Sequence, residues 1–346
     1  MSAYYNTADH FVLAPAIVLA LFGASILLFE FLLSRGAKQR RWLVWFSLTG
    51  LAFTAKALWA QQMALRNAGE ALTAFNGALK VDDFALFFNW LFLVTALIVL
   101  LMSYKFLEVE REHHGEYYGL VLLAHCGMFF LATGEDLVTL FIGLELMSLC
   151  FYIMVGFLRR QKRSSEAAIK YLLLGAFSSG ILAFGFSLLY GLSGSTRLAD
   201  IGEALSVRDT SDPLVFLALA TTTVGLLFKI SAAPFHAWAP DAYEGAPTTI
   251  TAYLSVGSAT ASFALLLRLY LEPLRGLRHD WAPLLAGVAI ASLTLGNLAA
   301  IGQNNIKRLL AYSSISHAGY MLLGLVAGND TGIQGIAVYL LVYTFM

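Results

Sequence analysis

Leu226-Leu227-Phe228-Lys229-Ile230-Ser231-Ala232-Ala233-Pro234 sets a lysine inside an apolar run, with a proline five residues after it. The run opens near Pro213, sixteen residues upstream of the lysine, so a helix through it carries Lys229 deep into any bilayer it crosses. Proline donates no N–H and its ring crowds the carbonyl four residues back, that of Ile230, so the helix breaks there. A broken helix at membrane depth is tolerated only where it lines a protein-enclosed or wet cavity, and transporters place ion sites at such breaks. Pro234, His236, Pro240 and Pro247 extend the interruption.

The runs on either side have the same apolar character. Spans are predicted near residues 11–34, 42–60, 84–106, 117–133, 137–158 and 167–192, then 213–239, 248–271, 281–302 and 306–327, with a further segment opening near Thr331. Each has roughly the 20 residues that a helix needs to cross a hydrocarbon core of about 30 Å. Hydrophobic residues make up 59% of the chain and charged ones 13%, against about one quarter charged in soluble domains. The fold class is therefore all-α, a polytopic transmembrane helical bundle with a broken seventh helix. The first run is too long for a signal-peptide core, and Tyr5, Asn6, Asp9 and His10 precede it in place of a basic region, so it reads as a retained helix. The last run stops at Met346 with no polar flank, which reads as a C-terminally truncated chain.

The 22 Lys and Arg balance the 22 Asp and Glu, so net charge points to no nucleic acid and to no charged soluble partner. Position matters more. Arg35, Lys38, Arg40 and Arg41 follow the first span, Lys105 and Arg111 the third, Arg159, Arg160, Lys162 and Arg163 the fifth, and Lys307 and Arg308 the ninth. With strict alternation all of them share one face, cytoplasmic by the positive-inside rule, and the N-terminus lies outside. The opposite loops hold the sparser Arg66, Lys80, Arg197, Arg208, Arg275 and Arg278. Cys126 and Cys150 fall in apolar runs without metal-ligand spacing and read as structural thiols.

Glu145 follows Asp136, which opens the fifth span, by nine residues, which puts it about 13 Å deep, near the midplane. A charge there costs about 3 kcal/mol or more, so such a group faces a partner or a water path. Burial disfavours an ammonium and a nearby carboxylate restores it, so Glu145 and Lys229 can form a pair whose proton occupancy depends on their separation. The structural alternatives are a carboxylate bonded to a neighbouring helix and a lysine beside a plain kink. Lys170, about 9 Å in from the start of the sixth span, suits either snorkelling or a proton path from the cytoplasm. His236 suits a relay or a structural hydrogen bond. His317, in the polar strip Ser313-Ser314-Ile315-Ser316-His317, suits a relay or helix packing. Glu30 and Lys56 read as interfacial anchors, His125 as a satisfied packing residue, and Asp241 and Glu244 as shaping the interrupted stretch. Gly-rich phosphate loops, nucleophile-base sets and Cys/His clusters do not occur in the sequence, so redox chemistry belongs elsewhere.

Several motifs together resemble one family. They are Glu135-Asp136-Leu137 to Glu145-Leu146-Met147-Ser148; Ala168-Ile169-Lys170-Tyr171-Leu172-Leu173-Leu174-Gly175-Ala176; Phe228-Lys229 to Pro234-Phe235-His236; Pro240-Asp241-Ala242-Tyr243-Glu244-Gly245-Ala246-Pro247; and Asn304-Asn305-Ile306-Lys307-Arg308-Leu309-Leu310-Ala311-Tyr312-Ser313-Ser314-Ile315. The chain is similar over essentially its whole length to the antiporter-like N subunits of bacterial respiratory complex I (NADH-quinone oxidoreductase), counterparts of mitochondrial ND subunit two. Sister subunits and Mrp-type cation/proton antiporters share the scaffold.

The resemblance implies inverted five-helix repeats, each with a broken helix. Residues 1–114 would hold helices 1–3, residues 115–272 the first repeat, and residues 281–346 the start of an incomplete second repeat. Carried over by motif, Glu145 modulates the lysine, Lys229 carries the proton, and Lys170 is the sixth-helix lysine. The implied function is proton translocation across a bacterial inner (plasma) membrane, coupled to electron transfer from NADH to quinone in other subunits. This chain itself would hold no cofactor; NADH, FMN, iron-sulfur clusters and quinone would belong elsewhere in the complex. Its partners would be the other membrane subunits and the lipid bilayer. One departure stands out: the family places a lysine on the eighth helix where this chain has Ala259, between Ser258 and Thr260. A non-pumping structural subunit and an Mrp-type antiporter subunit are the alternative readings.

Overall fold

The computed structural model describes residues 7–32, 42–110 and 115–346. Arg35, Lys38, Arg40, Arg41 and Arg111 of the basic loops lie outside the described residues. Nine helices among the described residues are long and apolar enough to cross a membrane, and the fold is helical, as expected. The first five long helices are α1 (Thr7–Leu32), α2 (Trp42–Ala68), α3 (Asp83–Glu110), α4 (Glu116–Thr133) and α5 (Leu137–Val155). They are followed by the long α6 (Lys162–Ser193) and the short α7 (Leu198–Ser206). The seventh span is split into α8 (Pro213–Lys229) and α9 (Trp238–Gly245). The eighth span consists of α10 (Thr248–Tyr253), a π-helical turn (Leu254–Ser258) and α11 (Ala259–Leu271). After it come α12 (Arg278–Ile301), α13 (Ile306–Ala327) and α14 (Asp330–Phe345).

The structure departs from the sequence expectation around the second span. The second helix runs on to Ala68, so Lys56 is an exposed residue near its middle and not an end anchor. Beyond it, β1 (Leu72–Ala74) and β2 (Leu79–Val81) form an antiparallel hairpin with Leu72 opposite Val81. Its turn takes Phe75, Asn76 and Gly77 through the left-handed region, at φ 51°, 55° and 86°. The hairpin buries Ala74, Leu79 and Val81 against Val12 and Leu86.

Helix ends are placed by short polar residues. Asp136 caps α5 by accepting from the N–H groups of Val138 (2.8 Å) and Thr139 (3.3 Å), and Asn305 caps α13 through the N–H of Lys307 (2.9 Å). Both satisfy donors that the first helical turn leaves orphaned. Between α4 and α5 the packing is backbone on backbone. A Cβ at Gly127 would lie 2.6 Å from both Gly143 O and Met147 N, the close approach that small residues allow in membrane bundles. Large apolar side chains such as Leu21, Phe31, Trp45, Phe177 and Leu298 point outward, where lipid replaces water as the solvent.

Two ends of the bundle are distinguishable. Arg163 pairs with Glu244 (3.4 Å) and Arg308 with Asp241 (2.6 Å) and Glu244 (3.1 Å). The start of α6, the end of α9 and the start of α13 therefore meet at one end. At the other, Phe75 N donates to Asp9 near the start of α1 (2.9 Å), which brings the hairpin and the first helix together.

Candidate functional site

The helix break is real, and it begins at the lysine. Lys229 is the last residue of α8, Ser231 turns left-handed at φ 57°, and helix resumes only at Trp238. The chain stops being helical before Ile230 could meet the proline ring. Carbonyls released by the break find new donors. Phe228 O accepts from Ser231 N (3.0 Å) and from the indole N–H of Trp238 (2.9 Å), and Leu227 O accepts from Ala232 N (2.9 Å). Ala233 N donates to Ser292 Oγ on α12 (2.9 Å). Non-helical backbone survives here because protein groups satisfy it.

Lys229 is 7% exposed. Its Nζ donates to Ser148 Oγ on α5 (2.9 Å) and to Ser179 Oγ on α6 (3.2 Å). A carboxylate does not meet it: Glu145 acts on the ammonium through space but forms no ion pair with it within 4.0 Å among the described residues. Glu145 is half-buried and its Oε1 is buried without a hydrogen-bond partner. Tyr152 lies 6.0 Å from the ammonium at its ring centre, and its hydroxyl approaches the same two serines without a hydrogen bond of good geometry. Space for that hydroxyl comes from Gly175, where a Cβ would lie 2.1 Å from it. Beyond it, Tyr152 and Tyr171 pack edge to face at 4.6 Å, and Tyr171 stacks on Trp238 at 4.5 Å. An aromatic wall thus closes the lysine pocket on the side of α9.

The remaining candidates lie apart from this centre. Lys170 pairs with Glu166 (2.7 Å) and Asp241 (3.0 Å) and is half-exposed. It lines a cavity of about 240 Å³ with Arg163, Glu166, Asp241, Glu244 and Arg308, at the Arg-rich end. Asp241 and Glu244, expected to shape a loop, sit on α9. His236 lies in the break, half-buried, with Nδ1 unpartnered. His317 bonds Ser313 Oγ through Nε2 (3.1 Å) and Tyr339 OH through Nδ1, beside a separate cavity of about 470 Å³. His125 is buried at Phe92, as packing requires, though its Nδ1 lacks a partner and it is not satisfied. Glu30 accepts from Gly115 N (3.0 Å). Near Ala259, Ser258 is reached by Tyr171 and Thr260 Oγ1 is buried without a partner.

Residues 134–346 match the family model described as NADH:quinone oxidoreductase/Mrp antiporter, transmembrane. The chain belongs to that family. Within it the chain is 65% identical over 347 residues to NADH-quinone oxidoreductase subunit N 2 of Solibacter usitatus, a match covering 100% of this chain and 70% of the relative. It is 51% identical over 352 residues to subunit N 1 of Koribacter versatilis, covering 99% of this chain and 68% of the relative. A solved chain of respiratory complex I from Thermus thermophilus superposes with a TM-score of 0.76 at 35% identity, over 95% of this chain and 67% of that one. Chains of an archaeal membrane-bound sulfane sulfur reductase and of the Mrp complex of a Dietzia species share the fold, each with a TM-score of 0.82, at 23% and 21% identity. They cover 99% and 98% of this chain, and 70% and 62% of those chains. The chain is thus an antiporter-like membrane subunit of NADH-quinone oxidoreductase, of the subunit N type, and a polytopic membrane protein.

Proposed function

We propose that this chain translocates protons through Lys229, driven by electron transfer from NADH to quinone in other subunits. The observation that carries this reading is the partner set of the buried ammonium: two serine hydroxyls, on two different helices, and no contacting carboxylate among the described residues. A buried lysine locked to a carboxylate would be held charged, since breaking such a pair costs several kcal/mol. Hydroxyls serve either state. They accept from the ammonium and can donate to the neutral amine. Glu145, close but not touching, then biases the lysine by distance, and a shift of α5 against α8 loads or releases the proton.

In this reading Lys170 and its cavity admit protons at the Arg-rich end, and His236 and His317 are relay candidates. That end is cytoplasmic, and the N-terminus faces outward across a bacterial plasma membrane. The repeats span residues 115–272 and, in part, 281–346, with residues 1–114 packed against them. NADH, FMN, iron-sulfur clusters and quinone are handled by the partner subunits.

Ala259 favours a second reading, a structural subunit that does not pump, because neither Ser258 nor Thr260 titrates near neutral pH. Replacing Lys229 by Met in the assembled complex, reconstituted in vesicles, separates the two. The first reading expects pumping per NADH oxidised to fall sharply with assembly intact; unaltered pumping refutes it. Sodium-dependent proton exchange in vesicles without NADH would instead indicate an antiporter of the Mrp kind.

A further inference from the structure

At the end of the bundle opposite the Arg-rich loops, five charged side chains from separate segments converge. Lys80 comes from β2, Asp82 from the turn before α3, Glu135 from the α4–α5 connection, Arg268 from the last turn of α11 and Glu272 from just beyond it. The Arg268 side chain is 2% exposed, with Nη1 2.8 Å from Asp82 Oδ2 and 3.0 Å from the Oε1 atoms of both Glu135 and Glu272. Its Nη2 donates to Ala132 O (2.6 Å) and Asp82 Oδ1 (3.2 Å), whereas its Nε is buried without a partner. Lys80 Nζ lies 3.5 Å from Asp82, 3.2 Å from Glu135 and 3.7 Å from Glu272.

Two cations face three carboxylates, so the cluster carries one excess negative charge if all are ionised. Glu135 and Glu272 converge on the same two cations, their Oε1 atoms each 3.0 Å from Arg268 Nη1 and 3.2 and 3.7 Å from Lys80 Nζ. Two carboxyls crowded together in this way, with a third on the same cations, repel less when one of them holds a proton. Neighbouring charges are engaged elsewhere. Asp136 is occupied by capping α5 and by Thr196 Oγ1, Asp9 accepts from Phe75 N, and Arg197 lies across a backbone bridge from Asp136. Asp83 begins α3 and His10 lies on α1 beside Asp9.

We propose that Glu135 and Glu272 share one proton and are the group from which protons leave this subunit at the face opposite the Arg-rich loops. The inference rests on the proposed proton translocation through Lys229. Glu135 adjoins the cap of α5, the helix that carries Glu145 about 15 Å further along. Movement of α5 that brings Glu145 toward Lys229 therefore also moves Glu135 within the cluster. The transfer balances: a proton given up by the Lys229 ammonium leaves a neutral amine, crosses hydroxyls and water to the pair, and departs to bulk water. Release leaves both glutamates ionised, and Arg268 and Lys80 hold the resulting charge. Burial and the Glu272 hydrogen bond push Glu135 up to about 7, against the pull of Arg268 and Lys80. Asp82 goes the other way, because the hydrogen bonds and charge of Arg268 outweigh its burial.

The test uses the assembled complex containing the full-length subunit, in vesicles. Infrared titration should show a protonated carboxylic acid band that fades through neutral pH. The band should be absent in both E135Q and E272Q and kept in D82N. Quinone-linked pumping should slow several-fold in E135Q and in E272Q while assembly and NADH oxidation by the uncoupled complex persist. A band unchanged in either glutamine variant, or one that responds only to pH at the Arg-rich face, overturns the shared proton. Unchanged pumping in both variants overturns its role in release. Lys229→Met pumping as well as wild type would instead remove the translocation reading, and the infrared result would still decide whether the pair holds a proton.

Discussion

Lys229 Nζ on α8 donates to Ser148 Oγ on α5 across 2.9 Å, and this bond ties the end of the broken helix to the helix that bears Glu145. Ser148 lies three residues after Glu145, so the two side chains project from neighbouring positions on one helical face. Any displacement of α5 therefore changes the lysine's hydrogen bond and its electrostatic neighbour together. A proton carrier gains from this coupling because one motion alters both terms in the same step.

Ser148→Ala removes a hydrogen bond to a charged group, a loss of about 1.5–3 kcal/mol for the bond concerned. Ser179→Ala should act in the same direction but more weakly, its bond being longer, 3.2 Å against 2.9 Å. The expected outcome is slower NADH-driven proton uptake into vesicles at normal assembly, with Ser148→Thr close to wild type. Equal pumping in wild type and the Ser148→Ala, Ser179→Ala double variant would show that the hydroxyls are packing only.

Gly175 on α6 leaves the space that the Tyr152 hydroxyl occupies, since a Cβ would lie 2.1 Å from that oxygen. Tyr152 is 5% exposed and wedged against Tyr171, so it has little room to retreat. Gly175→Ala should destabilise by the overpacking cost of about 1–3 kcal/mol, read as a lower melting temperature of the purified complex. Adding Tyr152→Phe removes the nearest contact but leaves the ring carbons Cζ and Cε1 at 2.7 and 2.9 Å from that Cβ, so it should restore only part of the loss.

Lys229 and Glu145 were legible in the sequence because an apolar run makes each ionisable residue conspicuous, and Pro234 announced the break. Ser148 and Ser179 were not. Small hydroxyl residues are common in membrane helices, and only the fold shows that two of them, from different helices, meet one lysine. Lys170 was found as a lysine at shallow depth, but its partners Glu166 and Asp241 depended on where α9 begins after the break. Arg268 carried a signal that the charge count by loops passed over. It lies inside an apolar run and belongs to neither set of loops, although a buried arginine near a span end demands acidic partners. Its partners Asp82, Glu135 and Glu272 come from distant parts of the chain, and the two three-residue strands that bring Lys80 to them are too short to leave a pattern.

Lys170→Met should lower pumping less than Lys229→Met. Its side chain is 46% exposed and shares Asp241 with Arg308, so the Arg-rich end keeps a cation at that carboxylate. The residual effect should shrink as salt is raised, because exposed charges are screened within about 10 Å at 0.1 M salt. A loss of pumping as complete as that of Lys229→Met, and insensitive to salt, would instead make Lys170 an obligatory carrier.

Glu135 makes the stability of the fold depend on pH through its carboxyl. Its ordinary value is 4.5, and burial together with the hydrogen bond that its protonated form donates to Glu272 raises it to about 7 in the folded protein. Between those values the folded state binds a proton that the unfolded state has lost, so stability falls as pH rises through this window. The contribution is fully present below the ordinary value and gone above the raised one. Asp82 runs opposite, since its lowered value favours the folded state until pH falls well into the acid range. Melting of the complex-embedded subunit should thus be steeper in pH between about 5 and 7 for wild type than for Glu135→Gln, which cannot ionise. The variant should gain relative to wild type as pH rises through 7. Parallel melting curves across that range would mean that Glu135 is already ionised and paired with Arg268 and Lys80, leaving no proton to share with Glu272.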